Sequence, residues 1–391
     1  MVRTAASVAI AVGPAAAVLA VSRGHQAVIW SPSGAGTAGI AGTMHAEGVL
    51  DGAFPIAVAA TLEEAFRGAD AALLVVPAYA FAEVLPRIAA ALPPDLPLLI
   101  APAASLAPVV LDVLMARRGA PKRRAPIGAM GTTTGGARRL APDRVRVAMV
   151  RTALEMAAVP ASAAPQMAKL AQDLFGMAFP LSPDALHVSF INVNPIAHSV
   201  LALTNVTRME RAEDWPQYAM MTPYACNLML ALAEERNAVA AAYGHRLDSI
   251  NTFFHRANQV PMGPLHEMTA AIAAARTDIK GPKTTDSRYV TEDVPYGLAY
   301  YRAVGAPKGV ATPVTDSMVR MLEVLWARDL RANPMLGLLD LSTLPSCGIA
   351  KAITTRSRRS CSRRCGSTGC CWNTTRSAPA ASRRCASCRR A

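Results

Sequence analysis

Apolar runs of strand length alternate with helical segments over the first half of the chain, and this alternation constrains the fold more than any other feature. Residues 7–12 form one such run, Gly13-Pro14 breaks it, and residues 15–23 have helical character and end at Gly24. A second run, "HQAVIW", ends at Trp30. A strand, a glycine turn, a helix and a second strand of these lengths predict a βαβ unit.

The same alternation continues further along the chain. Further strand-like runs occur at "ADAALLVVPA" (69–78), "LPLLIAPAAS" (96–105), "APIGAMGTTT" and "VRVAMVRT", with helical stretches at 61–66, 79–92 and 106–118. Continuous apolar strands between helices are typical of a parallel sheet that is covered on both faces. We therefore predict the α/β class, with an N-terminal Rossmann-like doubly wound parallel sheet whose ligands bind at the carboxyl ends of its strands.

The first residues also resemble a secretory signal peptide, because Arg3 precedes an apolar run and small residues. A signal peptide does not account for the strand at 25–30, so the βαβ interpretation is favoured. Hydrophobic residues make up 52% of the chain, but every run of 18 or more contains breakers. We expect no transmembrane helix and no membrane partner.

The pattern changes near residue 184, where strands give way to helical periods at 195–207, 223–243, 294–303 and 312–328. We predict a dinucleotide-binding Rossmann-like domain at 1–180 and a C-terminal all-helical substrate and catalytic domain at 185–350. The boundary is placed in "MAFPLSPDA", residues 177–185. Residues 351–391 form a separate tail.

Charge and cysteine are concentrated in that tail. The chain carries a net charge of +13, yet residues 351–391 hold 11 Lys or Arg and no acid, which leaves +2 for the rest. Six of the eight cysteines also lie there: Cys361, Cys365, Cys370, Cys371, Cys385 and Cys388. A shifted reading frame, a disordered basic arm and a zinc site remain open, in that order of preference. Outside the tail we expect no metal, no nucleic-acid partner and a reducing, cytoplasmic location.

The turn after the first strand has part of the dinucleotide fingerprint G-x-G-x-x-G/A. The aligned residues run from Ala11 through Gly13, Pro14 and Ala15 to Ala16, so the second glycine is kept and the first is replaced by alanine. At the end of the second strand, Ser31 and Ser33 stand where NAD enzymes carry an acid. We predict these residues to bind NADP or NAD, with NADP slightly favoured.

A histidine and an acid suggest a catalytic centre in the helical half. Asn194 and Pro195 predict a helix start with His198 in its first turn. In "RYVTEDVPYGL", Val294 should be extended before Pro295, and Asp293 near the following cap. Packing and capping alone would explain His198 and Asp293. If they pair, Asp293 would raise the pKa of His198 and fix its tautomer, and Arg288 could hold a substrate carboxylate.

The two-domain layout, "NPIAH", "NVTRMER", "AEERNAVAAAYG", "GPKTTDSRY" and "RYVTEDVPYGL" together resemble the NAD/NADP octopine/nopaline (opine) dehydrogenase family. The resemblance covers about residues 7–350. It implies an oxidoreductase that reductively condenses an amino acid with an α-keto acid, using NADH or NADPH. It implies His198, Asp293 and Arg288 as catalytic residues, and Arg288, Thr132 and Asn194 as substrate contacts. A homodimer is possible.

The chain departs from this family at one site position. Where members often carry a glutamate that holds a cationic amino acid, Gly131 precedes Thr132. We therefore expect an apolar or acidic amino donor. The alternatives are a ketopantoate-like or 2-hydroxyacid-like reductase and a catalytically inactive cofactor-binding relative.

Overall fold

The computed structural model describes residues 3–8, 12–121 and 124–344. The strands are β1 Arg3–Val8, β2 Gln26–Trp30, β3 Thr43–Gly48, β4 Gly52–Val58, β5 Ala71–Val75, β6 Leu98–Ile100, β7 Ile127–Met130, β8 Gly135–Ala141, β9 Arg144–Val150 and β10 Met156–Val159. The helices are α1 Val12–Ser22, α2 Leu62–Phe66, α3 Phe81–Ala91, α4 Ala107–Arg117, α5 Ala164–Phe175, α6 Ala185–Ile191, α7 Asn194–Thr204, α8 Val206–Glu210, α9 Pro223–Ala242, α10 Ile250–Asn258, α11 Leu265–Ala275, α12 Arg288–Thr291, α13 Ala299–Gly305 and α14 Pro313–Trp326. A π-helical turn, Val294–Leu298, lies between α12 and α13.

All the strands join one sheet in the order β10-β7-β6-β5-β1-β2-β4-β3-β9-β8. The central run from β7 to β4 is parallel throughout. The chain passes from β1 to β2 on one side and later returns to β5 on the other side of β1. This reversal opens a crevice at the carboxyl ends of β1 and β5, where ligands bind in open α/β sheets.

Helices cover both faces of the sheet, as the continuous apolar strands predict. On one face, Val18 of α1 and Leu174 of α5 share a buried cluster with Ile29. On the other, Phe81 of α3 and Leu111 of α4 pack in a second cluster. The predicted fold class, a Rossmann-like doubly wound sheet with a helical C-terminal region, is confirmed.

The sheet is mixed at its edges, which differs from the parallel sheet predicted. β3 pairs antiparallel with β4, β8 with β9, and β10 with β7. β3 ("TMHAEG") and β4 ("GAFPIAV") were not predicted. In β3 buried residues alternate with partly buried ones, β4 has only one buried residue, and the two strands include Gly and Pro. Half-exposed edge strands of this kind lack the apolar run that marks a central strand.

The first βαβ unit lies a few residues earlier than predicted. β1 spans Arg3–Val8 instead of 7–12, and α1 begins at Val12, so Gly13 and Pro14 lie within its first turn. Proline is accommodated there because the first helical residues have no intrahelical acceptor for their N–H groups. Ala11 and the tail at 351–391, with its charges and cysteines, lie outside the described residues.

The second half is helical from α6 to α14, and its core contains the fully buried Trp215, Tyr243, Tyr300 and Tyr301. Within the described residues, the stretch Ala185–Thr204 is apolar and long enough to cross a membrane, and 72% of it is buried inside the protein. The fold divides it into α6 and α7. Burial of this extent is typical of a core helix. The domain limits 1–180 and 185–350 stay a prediction.

Candidate active site

His198 lies on α7 with 8% of its surface exposed. The N-cap residue of α7 is Val193, one residue earlier than predicted, so His198 falls just beyond the first turn. The side chain of Asn194 does not cap the helix; instead, the Asn192 Oδ1 atom accepts a hydrogen bond from the Asn194 N–H at 3.0 Å. Pro195 has no N–H to satisfy, so one fewer donor needs a cap.

Asp293 pairs with this histidine across 95 residues of sequence. The His198 Nδ1 atom lies 2.8 Å from Asp293 Oδ2, and the carboxyl group is 5% exposed. Asp293 makes no side-chain capping bond to the next turn. Because a carboxylate only accepts hydrogen bonds, Nδ1 carries the proton and Nε2 remains as the reactive nitrogen. The structure thus brings together the two residues that the sequence suggested as partners.

A tyrosine that sequence reasoning missed holds the imidazole from one side. The Tyr289 ring stacks on the His198 ring with centroids 3.8 Å apart and planes within 3°. The Tyr289 hydroxyl donates a hydrogen bond to Gln217, and burial raises the pKa of Tyr289 well above its ordinary value. The ring is therefore a neutral, fixed wall that limits the orientation of the imidazole.

The pKa of His198 lies below its ordinary value, whereas pairing with Asp293 is expected from the sequence to raise it. Burial disfavours the imidazolium and is the largest influence, while the charge and hydrogen bond of Asp293 act in the opposite direction. Arg288 adds a smaller lowering. The resting histidine is therefore neutral near pH 7 and can take up a proton, and Asp293 is placed to stabilise the cation that forms.

The close approach of two helical segments places the pair. Val294, predicted to be extended, instead begins the π-helical turn that continues from α12. A π turn accommodates Pro295, which lacks an N–H for the regular ladder. Gly297 packs directly on Pro195: a Cβ atom added at Gly297 would lie 2.2 Å from the Pro195 Cβ. Only glycine permits this contact, which sets α7 beside Asp293.

Arg288 lies one turn before Asp293, and its side chain is 54% exposed. Its Nε atom is 3.9 Å from Glu292 Oε2. Burial opposes its charge, but Glu292 and Asp293 together raise the pKa of Arg288 above its ordinary value. This half-exposed, charged guanidinium is close enough to lower the pKa of His198 and is available to bind a carboxylate.

Glu292 is a second residue that the sequence did not single out. It is buried and accepts a hydrogen bond at 3.0 Å from the N–H of Ala78, which lies three residues after the end of β5. Burial raises its pKa, which Arg288 partly offsets. This bond ties the Arg288–Asp293 segment to the carboxyl edge of the sheet. Both Tyr289 and Glu292 lie inside the "RYVTEDVPYGL" motif, but nothing in that motif shows which side chain turns inward.

Thr132 and Asn194 flank one narrow cleft. Gly131, which precedes Thr132 at the end of β7, lines it together with Asn192 and Pro195, which surround Asn194. Both side chains are partly exposed. His198 is not among the residues that line the cleft. The substrate roles of Thr132 and Asn194 therefore stay predictions.

The described residues that the sequence predicts to bind the cofactor lie near the carboxyl ends of β1 and β2. Gly13, Pro14 and Ala15 are buried in the first turn of α1, which contains no acid. A helix N-terminus of this kind favours a phosphate. At the end of β2, Ser31 Oγ accepts a hydrogen bond from the Gly36 N–H at 3.0 Å, and Ser33 is exposed. These residues would hold the pyrophosphate and the adenosine ribose.

Comparisons with known proteins agree with this architecture. Residues 181–326 match the model of the α-helical domain of NAD/NADP octopine/nopaline dehydrogenases. The chain is 27% identical over 320 residues to an opine dehydrogenase of Arthrobacter sp. (strain 1C), covering 81% of this chain and 85% of the relative. It is 26% identical over 245 residues to the protein ocs of Agrobacterium vitis, covering 59% of this chain and 64% of that protein.

Solved structures share the fold at low sequence identity. An octopine dehydrogenase in complex with NADH and agmatine superimposes with a TM-score of 0.70 at 16% identity, covering 84% of this chain and 90% of that one. A ketopantoate reductase of Ralstonia eutropha reaches a TM-score of 0.57 at 15% identity, covering 83% and 99%. The helical-domain match and the opine dehydrogenase relative confirm the resemblance to NAD/NADP octopine/nopaline dehydrogenases seen in the motifs.

Proposed function

We propose that this protein is an NAD(P)H-dependent oxidoreductase that condenses an amino acid with an α-keto acid and reduces the resulting C=N bond. The observation that carries the proposal is the buried His198–Asp293 pair with Arg288 one turn away. The match to the opine dehydrogenase of Arthrobacter supports the same reaction class. NADH or NADPH, when bound, supplies the hydride for the C=N carbon.

We assign each residue a role that its position and chemistry support. Arg288 holds the carboxylate of the keto acid and so fixes its carbonyl group. His198 Nε2 takes a proton from the attacking amine nitrogen, and the imidazolium passes it to the carbonyl oxygen to give a carbinolamine. Nε2 then takes the second proton of that nitrogen and gives it to the hydroxyl group, which leaves as water as the C=N bond forms. Asp293 keeps Nδ1 protonated and stabilises the imidazolium. A neutral resting histidine suits this order, since its first act is to accept a proton.

The fold alone would also allow a simple keto-acid reductase, because a ketopantoate reductase shares it. A reductase resembling the ketopantoate-like enzymes would be expected to use a lysine and an asparagine in its helical half. Here Lys280 and Lys283 both pair with Asp214, at 3.3 and 3.0 Å, and no lysine lies on α7. The pairing of His198 with Asp293 thus favours the condensing reaction.

The partners follow from this chemistry. We infer that they are two small molecules, an amino acid and an α-keto acid, and that the amino donor is apolar or acidic because Gly131 brings no acid to the cleft. A cytoplasmic location suits Cys226, which is a free, buried thiol. Its burial raises its pKa to about 11, so it stays protonated and unreactive.

The test follows the absorbance of reduced nicotinamide with NADH or NADPH, pyruvate and single amino acids, and identifies the product by mass. We expect turnover only when both substrates are present, and loss of turnover in His198→Ala. The matched control is His266→Ala, which removes a half-exposed histidine on α11 and should keep full activity. Turnover with pyruvate alone would instead indicate a simple reductase. Cofactor binding without any turnover would indicate an inactive relative.

A further inference from the structure

The loop after β2 contains no acid to bind a ribose hydroxyl. From Ser31 to Ala46 the chain has no Asp or Glu, and Ser31 ties the loop back through the Gly36 N–H at 3.0 Å. The Gly34 N–H also bonds to the Ser31 carbonyl at 3.2 Å. Ser33 and Gly34 are left exposed at the tip. A carboxylate here would bind the 2′-hydroxyl of NAD and repel a 2′-phosphate, so its absence leaves room for a phosphate.

An arginine from a helix that is distant in sequence, α3, contacts this loop. Arg87 lies in the middle of α3, and its guanidinium carbon sits 4.7 Å over the ring of Trp30, the last residue of β2. Its Nη1 donates a hydrogen bond to the Pro32 carbonyl at 3.0 Å. The group is therefore fixed directly beside the residues that follow the second strand.

Most of this guanidinium remains available. Only Nη1 of Arg87 donates to described groups, which are the Pro32 carbonyl and Glu83 at 3.5 Å. The Arg87 side chain is 42% exposed and the Glu83 side chain is 74% exposed, so this ion pair is well solvated and weak. A second cation is close, since Arg139 Nη1 donates to the Gly36 carbonyl at 2.6 Å on the same loop. The electrostatic character of the loop is positive.

We propose that Arg87 binds the 2′-phosphate of NADP(H) at the loop after β2, so that this protein prefers the phosphorylated dinucleotide to NAD(H). The inference rests on the proposed function in one respect, the presence of a dinucleotide at the carboxyl ends of β1 and β2. A planar guanidinium forms charge-assisted, bidentate hydrogen bonds with phosphate. The Trp30 ring under the Arg87 guanidinium limits its motion, which reduces the conformational entropy lost when a phosphate binds.

Binding measurements test this without relying on turnover. Isothermal titration calorimetry of the full-length protein would give dissociation constants for NADP⁺, NAD⁺, 2′,5′-ADP and 5′-AMP. We expect NADP⁺ to bind more tightly than NAD⁺ by about tenfold or more. In Arg87→Gln, NADP⁺ and 2′,5′-ADP should weaken by about tenfold or more, while NAD⁺ and 5′-AMP change by less than about twofold. The control is Arg118→Gln, which removes an exposed guanidinium at the C-terminus of α4.

Three results would overturn the proposal. Equal binding of NADP⁺ and NAD⁺ by the wild-type protein would show that no 2′-phosphate site exists. Equal weakening of both nucleotides in Arg87→Gln would show that Arg87 only supports the loop. In both cases a dinucleotide still binds, and the proposed function stands. Failure of the wild-type protein to bind either nucleotide would remove the proposed function along with this inference.

Discussion

Replacement of Asp293 by Asn isolates the contribution of the buried charge to the active site. Asn is nearly isosteric, so the hydrogen-bonded contact to His198 Nδ1, 2.8 Å in the wild type, can persist through the amide oxygen. What is lost is the negative charge that stabilises the imidazolium. The variant therefore tests the proposed role of Asp293 with little change in packing.

The expected loss of rate follows from the distance between the two charges, whose centres are about 4 Å apart when His198 Nδ1 and Asp293 Oδ2 are 2.8 Å apart. Two unit charges about 4 Å apart interact by about 4 kcal/mol at an effective dielectric constant of about 20. Since each 1.36 kcal/mol of barrier corresponds to a factor of ten, we expect kcat to fall by about 10²- to 10³-fold. The amide can also turn its NH2 group toward Nδ1 and select the wrong tautomer, which would lower the rate further.

The pH profile gives an independent readout with a defined sign. Asp293 raises the pKa of His198 against the lowering by burial, so removal of its charge lowers that pKa further. The imidazolium is required when the carbonyl oxygen departs, so kcat falls as the pH rises through the pKa of His198. This alkaline limb of the kcat profile should move to lower pH in the variant. A purely structural role of Asp293 would reduce the rate without moving the limb.

The assay is steady-state nicotinamide oxidation with both substrates saturating, run across pH for the wild type and four variants. These are Asp293→Asn, His198→Ala, the double variant and Asp316→Asn. Asp316 of α14 forms a half-exposed ion pair with Arg302 of α13 and serves as the control for charge loss. If Asp293 acts through His198, its substitution has no further effect once His198 is removed. A full multiplicative loss in the double variant would refute this reasoning.

Three further predictions follow from the same structure. Arg288→Gln should raise KM for the keto acid by about 10- to 100-fold, because a charged hydrogen bond to its carboxylate is lost; an unchanged KM at saturating cofactor would contradict that role. Gly297→Ala should lower the free energy of unfolding in urea by about 1–3 kcal/mol and reduce activity, because the new Cβ atom would lie 2.2 Å from the Pro195 Cβ. The control Gly337→Ala, whose new Cβ atom has no neighbour within 4 Å, should change neither stability nor activity. Burial lowers the pKa of both His198 and His245 below the ordinary value of 6.5, so below pH 6.5 the unfolded chain binds more protons than the folded protein. The contribution of these histidines to stability is therefore complete above pH 6.5 and should decline as the pH falls below 6.5. Urea unfolding midpoints should show a shallower decline in His245→Gln than in the wild type.

Local pattern was sufficient for the central strands and for α7, α9, α13 and α14, whereas α10 and α11 were not predicted. Continuous apolar runs mark strands buried on both faces, and a 3.6-residue period marks helices, whatever their neighbours are. β3, β4 and the antiparallel edges escaped prediction because half-exposed strands are specified by pairing with distant residues. The start of α7 was misplaced by one residue because the acceptor that serves its N-terminus belongs to Asn192.

The sequence by itself determined the fold class, the family motifs and the two residues that later meet as a pair, because residue type and short spacings carry that information. Only the tertiary structure decided the chemistry around them. The pKa of His198 is lowered since many residues from separate helices exclude water from it, and Tyr289 holds it through a contact across 91 positions in the chain. Arg87 stands 55 residues from Pro32 in sequence and reaches it only because α3 packs beside the end of β2. Desolvation and long-range contact depend on which segments the fold brings together, and spacing along a chain does not reveal them.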